Sequence, residues 1–308
     1  MENRVNEILK KDKISKEEFR SLLNNIHKID CIDFLKKLPD ECIDIVVTSP
    51  PYNMGNADRS ENPKRPTYKT REGDSRNNKL FNDGYSDFDD CLPYSVYVQQ
   101  QRTLLTELCR CLTNEGAIFW NNKWRVYDGA LDMLTSITDG FNVRQVIIWD
   151  KSTTLTYTDR LFMPVYEVIY YITKSDNKHG NKTKLTKDGI VMSDIWRFIS
   201  DRENPHPAPY PIQLPYNAIH SIDNHGKKLV VYDPYMGSGT TACAAISCGY
   251  DYIGTDLSDE YIEMAKKRIK ANELSSEILI TGSNKEQAKN FKKLYNKNDN
   301  ISVKNLGF

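Results

Sequence analysis

The stretch VVYDPYMGSGTTACAA, residues 230–245, decides how the chain folds. It completes an apolar strand, KLVVYDPY (228–235), in which the apolar run stops at an acid, Asp233. The turn MGSGTT follows, and then a helix of small residues, ACAAISCG. Gly237 and Gly239 permit positive φ and let a ligand come close to the backbone. The helix start behind them offers amides with no partner inside the helix. A second strand, DYIGTDL (251–257), carries another acid, Asp256, 17 residues after Gly239. A nucleotide fold places a ribose-binding carboxylate near that position.

Strand, glycine turn, helix, strand and acid together point to a nucleotide-like cofactor. Gly237-x-Gly239-x-x-Ala242 also satisfies the dinucleotide fingerprint, so a nicotinamide or flavin oxidoreductase stands as a rival. A phosphate-binding P-loop is excluded, because no Lys-Ser/Thr pair closes the turn. Two features favour S-adenosylmethionine over NAD. Too little well-patterned chain follows Asp256 to complete a six-strand dinucleotide domain, and Asp233 ahead of the glycines suits an amino group better than a pyrophosphate.

The alternation of strand and helix extends outward from this segment. Val5, Ile8, Leu9, Phe19, Leu22 and Leu23 fall at helical spacing and predict a helical N-terminal extension over 1–25, with a Ser15-x-x-Glu18 capping box. A strand HKID (27–30), a helix CIDFLKKL and a strand IDIVVTS (43–49) follow. A helix near 94–112 leads through a TNEG turn to the strand AIFWNN, and another helix is expected around 126–138. The strands VRQVIIWDK and VYEVIYYITK (165–174) come next, then a proline cluster, ENPHPAPYPIQLP, and a helix. Beyond 257, Ser258 is placed to cap the helix SDEYIEMAKKRIKANE, and EILITG reads as a last strand. This pattern gives an α/β, Rossmann-like, doubly wound and mostly parallel sheet. Without repeat or linker, residues 1–308 read as one domain with embellishing loops and a lysine- and asparagine-rich tail at 285–308.

Composition narrows the function classes. Hydrophobic residues make up 39% and charged residues 27% of the chain, an ordinary soluble balance. No apolar run approaches a membrane span, and the charged N-terminus lacks a signal-peptide core, so a cytoplasmic protein with no membrane partner is expected. The seven cysteines form no CxxC pair and no Cys/His cluster, which predicts reduced thiols and no metal, and argues against a zinc deaminase. Lys+Arg and Asp+Glu balance at 42 each, so net charge does not announce a polyanionic partner. The distribution is more telling, with seven basic against three acidic residues from Arg59 to Lys79 and five lysines against two aspartates from Lys174 to Asp188. These polar stretches mark 53–90 and 174–193 as candidate nucleic-acid-contacting loops, although solvated loops explain the same charges and an acidic run, NDGYSDFDD (82–90), follows the first.

One short motif remains. TSPPYN (48–53) closes an apolar strand on a serine, two prolines and a tyrosine. The prolines forbid both a continuing strand and an immediate helix, so a tight surface turn is the plain reading. With DPYMGSGTT downstream, however, it resembles the amino-methyltransferases of DNA, enzymes that methylate the exocyclic nitrogen of cytosine or adenine. Those carry a (D/N/S)-P-P-(Y/F/W) catalytic motif and a D-P-F-x-G-S-G-T-T cofactor motif, and here they occur in the order of the family's β group. HKIDCIDFLKKLPDECIDIVVTSPPYN, ELCRCLTNEGAIFW, DIW (194–196) and HPAPYPIQLP (206–215) extend the likeness over roughly residues 26–270. Tyr235 stands where phenylalanine is usual, and only about 20 residues separate YYITK from DIW, short for a target-recognition region. The resemblance implies a class I methyltransferase fold with permuted motif order, S-adenosylmethionine as methyl donor and double-stranded DNA as substrate. A restriction-modification role beside a cognate restriction endonuclease, and a monomer or homodimer, are implied in the same way.

It also implies residue roles. The Ser49 hydroxyl and the Pro50 carbonyl accept the hydrogens of the target amine, Pro50 and Pro51 pin the backbone, and Tyr52 stacks on a base flipped from the duplex. Asp233, Pro234, Tyr235, Met236, Gly237, Ser238, Gly239 and Thr240 hold the methionine moiety, while Asp256 with Leu257 takes the ribose. Asp30 with Cys31 meets the adenine edge, unless Asp30 is simply the N-cap of its helix. His206 and Pro207 close the methionine end or form a turn without ligand contacts. Trp120, Trp149 and Trp196 are read as core. Serine at the first motif position accompanies cytosine N4 more often than adenine N6 in that family, so cytosine is favoured and adenine is the alternative. A cofactor-bound regulator without activity would not need the intact catalytic motif.

Overall fold

The computed structural model describes residues 2–53, 69–70, 92–127, 129–152, 156–157, 161–174, 182–199 and 210–273. Helices α1 (Glu2–Leu9) and α2 (Lys16–Ser21) precede β1 (Asn25–Lys28), α3 (Cys31–Lys37), β2 (Ile43–Thr48) and the short β3 (Lys69–Thr70). Next come α4 (Tyr94–Cys111), β4 (Leu112–Asn122), the small strands β5 (Arg125–Tyr127) and β6 (Ala130–Asp132), and α5 (Thr135–Thr138). Strands β7 (Val143–Asp150), β8 (Thr156–Tyr157) and β9 (Tyr166–Thr173) lead to α6 (Lys187–Val191) and β10 (Ile195–Arg197). The chain closes through α7 (Gln213–His220), β11 (Val230–Asp233), α8 (Thr240–Ser247), β12 (Asp251–Asp256) and α9 (Asp259–Glu273).

Eight strands form the main sheet in the order β1-β12-β11-β2-β4-β9-β7-β10. All neighbours pair in parallel except β9, which is antiparallel to both β4 and β7. The α/β, mostly parallel architecture expected from the alternating pattern is therefore present, with one reversed strand inside it. That reversal matters for the site. The carboxyl ends of β1, β12, β11, β2, β4 and β7 lie along one edge, and the amino end of β9 returns to the same edge.

Side-chain alternation along the strands splits the core between the two sheet faces. Val46 and Ile118 face Phe34, Leu35 and Leu38 from α3 and the segment after it, with Leu104, Leu105 and Leu108 from α4. Ile45, Val47, Ala117 and Phe119 face Leu214, Ala218 and Ile219 of α7 and Ala242, Ala244 and Ala245 of α8. Both faces are covered, which is why the strands read as nearly continuous apolar runs. Trp120, Trp149 and Trp196 are buried, as their reading as core requires.

The N-terminal helices are part of this packing, since Ile8, Phe19 and Leu22 are buried in the α3–α4 side of the core. The expected capping box is formed: Ser15 Oγ accepts from the Glu18 amide at 3.2 Å, and the Ser15 amide donates to Glu18 Oε2 at 2.9 Å. Other expectations are corrected. The helix expected around 126–138 is instead a β5–β6 hairpin followed by the four-residue α5, with Gly129 at φ 80° in the turn and Leu134 at φ 60° before the helix. Left-handed backbone at both places interrupts a helix that the apolar pattern alone allowed. TNEG is absorbed into β4, where the register against β2 jumps from Ile43↔Leu112 to Ile45↔Ala117. In 174–193, α6 occupies the end of what was read as loop, capped by Thr186 Oγ1 on the Gly189 amide at 2.9 Å. Most of 53–90, the strand EILITG and the 285–308 tail lie outside the described residues.

Phe34 is fully buried against Tyr232 of β11 and joins α3 to the sheet. Phe34→Ala should destabilise the fold by about 3–5 kcal/mol. Urea unfolding monitored by far-UV circular dichroism checks this, with a midpoint shift at unchanged slope as the expected result.

Candidate active site

The edge defined by the strand ends carries nearly all the site residues, in spatial order. Asp30 follows β1, Asp256 ends β12, Asp233 ends β11, Ser49 follows β2, Asn121 and Asn122 end β4, and Glu167 begins β9. Ligands of open α/β sheets bind in the crevice along this edge.

The glycine turn is built on a hidden anion. The Asp233 carboxylate is 0% exposed. Its Oδ1 accepts from the Tyr235 amide at 3.0 Å, and its Oδ2 accepts from Tyr210 Oη at 2.8 Å and Thr241 Oγ1 at 2.6 Å. Burial is the main cause that pushes this carboxyl up to about 6, and the three donors oppose the shift. Asp233 was expected to meet an amino group; in the structure it is wrapped by protein donors and holds the turn in shape. Tyr210 and Thr241, which do much of that holding, escaped assignment, although both lie inside the quoted motifs.

Gly237 and Gly239 adopt φ 50° and 79°. A Cβ on Gly239 would approach Ala265 Cβ of α9 to 3.0 Å, so the position needs glycine for both backbone and space. Asp256, half-buried, accepts from the Gly237 amide at 2.8 Å and the Ser258 amide at 2.9 Å, tying the end of β12 to the turn. Arg268 of α9, 7% exposed, donates to Ser238 O and Oγ at 2.6 Å each and to Thr240 Oγ1 at 3.0 Å. Ser238 and Thr240 are thus buried supports of the turn, engaged from behind by Arg268. Met236 is buried over Gly254 of β12, where an added Cβ would meet its Cε at 2.4 Å, so its side chain packs in the core. Pro234 is buried beside it, and Leu257 is 38% exposed at the edge.

Asp30 is the N-cap of α3, with Oδ1 accepting from the Ile32 and Asp33 amides at 2.9 and 3.0 Å. The capping alternative is therefore realised; the residue is also exposed at the edge, one strand from Asp256. Cys31 is buried, and burial pushes its thiol up to about 12, with the Asp30 charge adding to the effect. Its sulfur meets the Tyr235 hydroxyl, which also bonds Gln101. His206 and Pro207 lie outside the described residues.

The diproline loop forms the other half of the edge. Pro50 and Pro51 are buried, while Ser49 and Tyr52 are half-buried. Asn53 ends the loop in left-handed backbone at φ 53°, 1% exposed, with Nδ2 donating to Leu92 O at 2.8 Å. Asparagine tolerates that conformation better than most residues, which explains the last letter of TSPPYN. Ser49 Oγ lies 2.7 Å from Tyr52 Oη, and Tyr52 Oη donates to Glu167 Oε2 at 2.9 Å. Asn121 Nδ2 lies 2.8 Å from Tyr52 Oη, 2.9 Å from Glu167 Oε2 and 3.3 Å from Ser49 Oγ, and its two hydrogens are shared among these acceptors.

Glu167 is 8% exposed, and Lys151 Nζ donates to its Oε1 at 2.7 Å. Burial alone raises this carboxyl, but the Lys151 charge and hydrogen bond, with Asn121 and Lys123, outweigh it and hold the group below the usual carboxylate range. Lys123 is pushed down to about 8 by burial and by the Lys151 charge, with Glu167 pulling the other way. Sequence reading missed Asn121, Lys123, Lys151 and Glu167. The available signal was a lone charge, Glu167, inside the otherwise apolar run VYEVIYYIT.

A titration follows from Asp233. Its folded value of about 6 lies above the ordinary value of 3.8, so the folded state takes up a proton more readily than the unfolded chain. The charged form therefore weakens the fold above pH 6, and that penalty is relieved as the pH falls towards 3.8. Wild type should gain stability relative to Asp233→Asn between pH 7 and 4, by on the order of 2–3 kcal/mol. Urea unfolding of both proteins across that range measures the difference.

Comparison with known proteins agrees with this geometry. The N6/N4 family of DNA methylases matches residues 43–267 of the 308-residue chain, a span that holds both motifs. The type II methyltransferase M1.MboII of Moraxella bovis is 29% identical over 264 residues, covering 79% of this chain and 95% of the relative. The type II methyltransferase M.BglII of Bacillus subtilis is 25% identical over 277 residues, covering 79% and 68%. The fold is shared with the PvuII DNA methyltransferase (cytosine-N4-specific), at a TM-score of 0.56 and 15% identity, with 88% of this chain and 92% of that one covered. A protein of Thermus thermophilus described as a DNA modification methylase, complexed with S-adenosyl-L-methionine, gives a TM-score of 0.53 at 22% identity, with 82% and 96% covered. The chain belongs to the N6/N4 DNA methylase family.

Proposed function

We propose that the chain methylates the exocyclic N4 amine of cytosine, within a specific sequence of double-stranded DNA, using S-adenosylmethionine. One observation carries the reading: Ser49 and the glycine turn stand at the ends of adjacent parallel strands, β2 and β11, on one edge. A base amine at Ser49 and a methyl donor in the turn are thereby neighbours.

The turn fits the donor. Gly237 and Gly239 hold the turn in left-handed backbone with no side chain on it, Asp256 stands at the position for ribose hydroxyls, and Asp30 is exposed one strand further along. Bound there, S-adenosylmethionine supplies a methyl group on a positively charged sulfur. The protein's own work is on the amine, whose lone pair is delocalised into the base ring. Ser49 Oγ and the Pro50 carbonyl take its two hydrogens, which biases the nitrogen towards a tetrahedral geometry and frees the lone pair for in-line attack. The buried prolines hold those acceptors in place before the base arrives, so little reorganisation is needed. Tyr52 offers a ring face to a base flipped from the duplex. A neutral hydroxyl accepts one hydrogen without putting a negative charge beside the cytosine ring, which favours cytosine N4 over the alternative, adenine N6.

Recognition of sequence is assigned to the basic stretches 59–79 and 174–188, and the biological setting to protection of DNA from a cognate endonuclease. The protein acts as a monomer or homodimer in this reading. No helix among the described residues is long and apolar enough to cross a membrane.

Labelled methyl transfer to DNA, followed by digestion to nucleosides, should give N4-methylcytosine. N6-methyladenine would overturn the base assignment, and no incorporation would overturn the reaction. Ser49→Ala should lower kcat by about 100- to 1,000-fold, the scale for deleting one preorganised hydrogen-bonding group, while leaving S-adenosylmethionine affinity intact. Loss of cofactor binding in that variant would mean that the serine supports the fold instead.

A further inference from the structure

The chain Ser49–Tyr52–Glu167 has a direction, and the direction follows from its end. We infer that Glu167 is a positioning residue that fixes which way the Ser49 hydroxyl points, so that its lone pairs face the target amine. The inference rests on the reaction assigned above.

Proton counting gives the direction. An ionised carboxylate only accepts. Glu167 Oε1 takes Lys151 Nζ at 2.7 Å, and Oε2 takes Tyr52 Oη at 2.9 Å and Asn121 Nδ2 at 2.9 Å. The single Tyr52 hydroxyl proton is thus committed to Glu167. Tyr52 Oη can then only accept on its other side, from Asn121 at 2.8 Å and from Ser49 Oγ–H at 2.7 Å. The Ser49 proton is directed inward, and the serine oxygen presents lone pairs outward. Asn121 cannot reverse its amide without setting its oxygen against the carboxylate, so it enforces the same polarity.

A serine left to itself has no such bias. Its hydroxyl rotates, and for part of the time it offers a proton to an amine nitrogen that must keep its lone pair free. Lys151 and Lys123 keep Glu167 ionised, and the same charges make it a poor base. Its part is therefore to orient, and the proton released on methylation leaves by another route.

Two substitutions separate this role from a structural one. Tyr52→Phe keeps the ring and removes the link, so Ser49 becomes free to rotate. Glu167→Gln keeps shape but places an NH₂ where Oε2 was. That group donates to Tyr52 and turns the Asn121 amide over to present its oxygen. The tyrosine proton is then no longer held by a carboxylate and is released towards Ser49, where it turns the serine proton outward. Tyr52→Phe should lower kcat by about tenfold and Glu167→Gln by about a hundredfold, with DNA KM and cofactor Kd within about threefold of wild type, since the defect lies in the chemical step.

The double variant should be more active than Glu167→Gln alone, because removing the tyrosine hydroxyl also removes the reversed donor. Losses that multiply in the double variant would overturn the proposal, as would wild-type kcat in Tyr52→Phe, which stands even where Glu167→Gln fails to fold. All values are ratios to the wild-type rate in the same assay. Absence of transfer by wild type contradicts the assigned reaction, whereas the pattern among variants contradicts only the role of Glu167.

Discussion

Everything at the site depends on strand register at one sheet edge. Parallel pairing of β11, β2 and β4 sets Asp233, Ser49 and Asn121 side by side, through Tyr232↔Val46 and Thr48↔Trp120. Antiparallel insertion of β9 then brings Glu167 back to the same level, two residues before the Asn121↔Ile169 pair. A slip of one residue in any of these ladders would turn the polar groups to the other face. The apolar alternation of Ile45, Val46 and Val47 between two covered faces prevents that slip, so the hydrophobic core fixes the geometry of a candidate site it never touches.

The edge contains two buried anions with opposite fates. Asp233 is surrounded by neutral donors, and its carboxyl rises to about 6. Glu167 has Lys151 against one oxygen, and its carboxyl falls. Burial opposes ionisation at both positions, and the difference is a close cation. Such separation of two carboxyls by environment assigns them different work. One shapes the glycine turn, and the other, its ionised form favoured by Lys151, can impose order on a hydroxyl chain.

Much of this was legible in the sequence. TSPPYN and DPYMGSGTT marked both halves of the candidate site because proline and glycine requirements are local, and the acids Asp233 and Asp256 could be placed at strand ends by spacing alone. Alternation of apolar strands with helices pointed to the sheet. What escaped has a common cause. Asn121, Lys151 and Glu167 join Ser49 only through pairings between strands up to 118 positions apart (167 − 49), which no local pattern encodes. The 126–138 helix failed for a local reason, the left-handed backbone at Gly129 and Leu134. Asp233 could be placed at its strand end, but its burial and its Tyr210 and Thr241 donors appear only once the turn is folded against α8.

The central claim is that the two motifs, joined at one sheet edge, methylate a base amine in DNA. Modification-sensitive sequencing of DNA from a host that expresses this chain tests it most directly. The expected result is N4-methylcytosine at one recurrent sequence, absent from the same host expressing Ser49→Ala. Unmodified DNA from a host that accumulates the folded protein would contradict it.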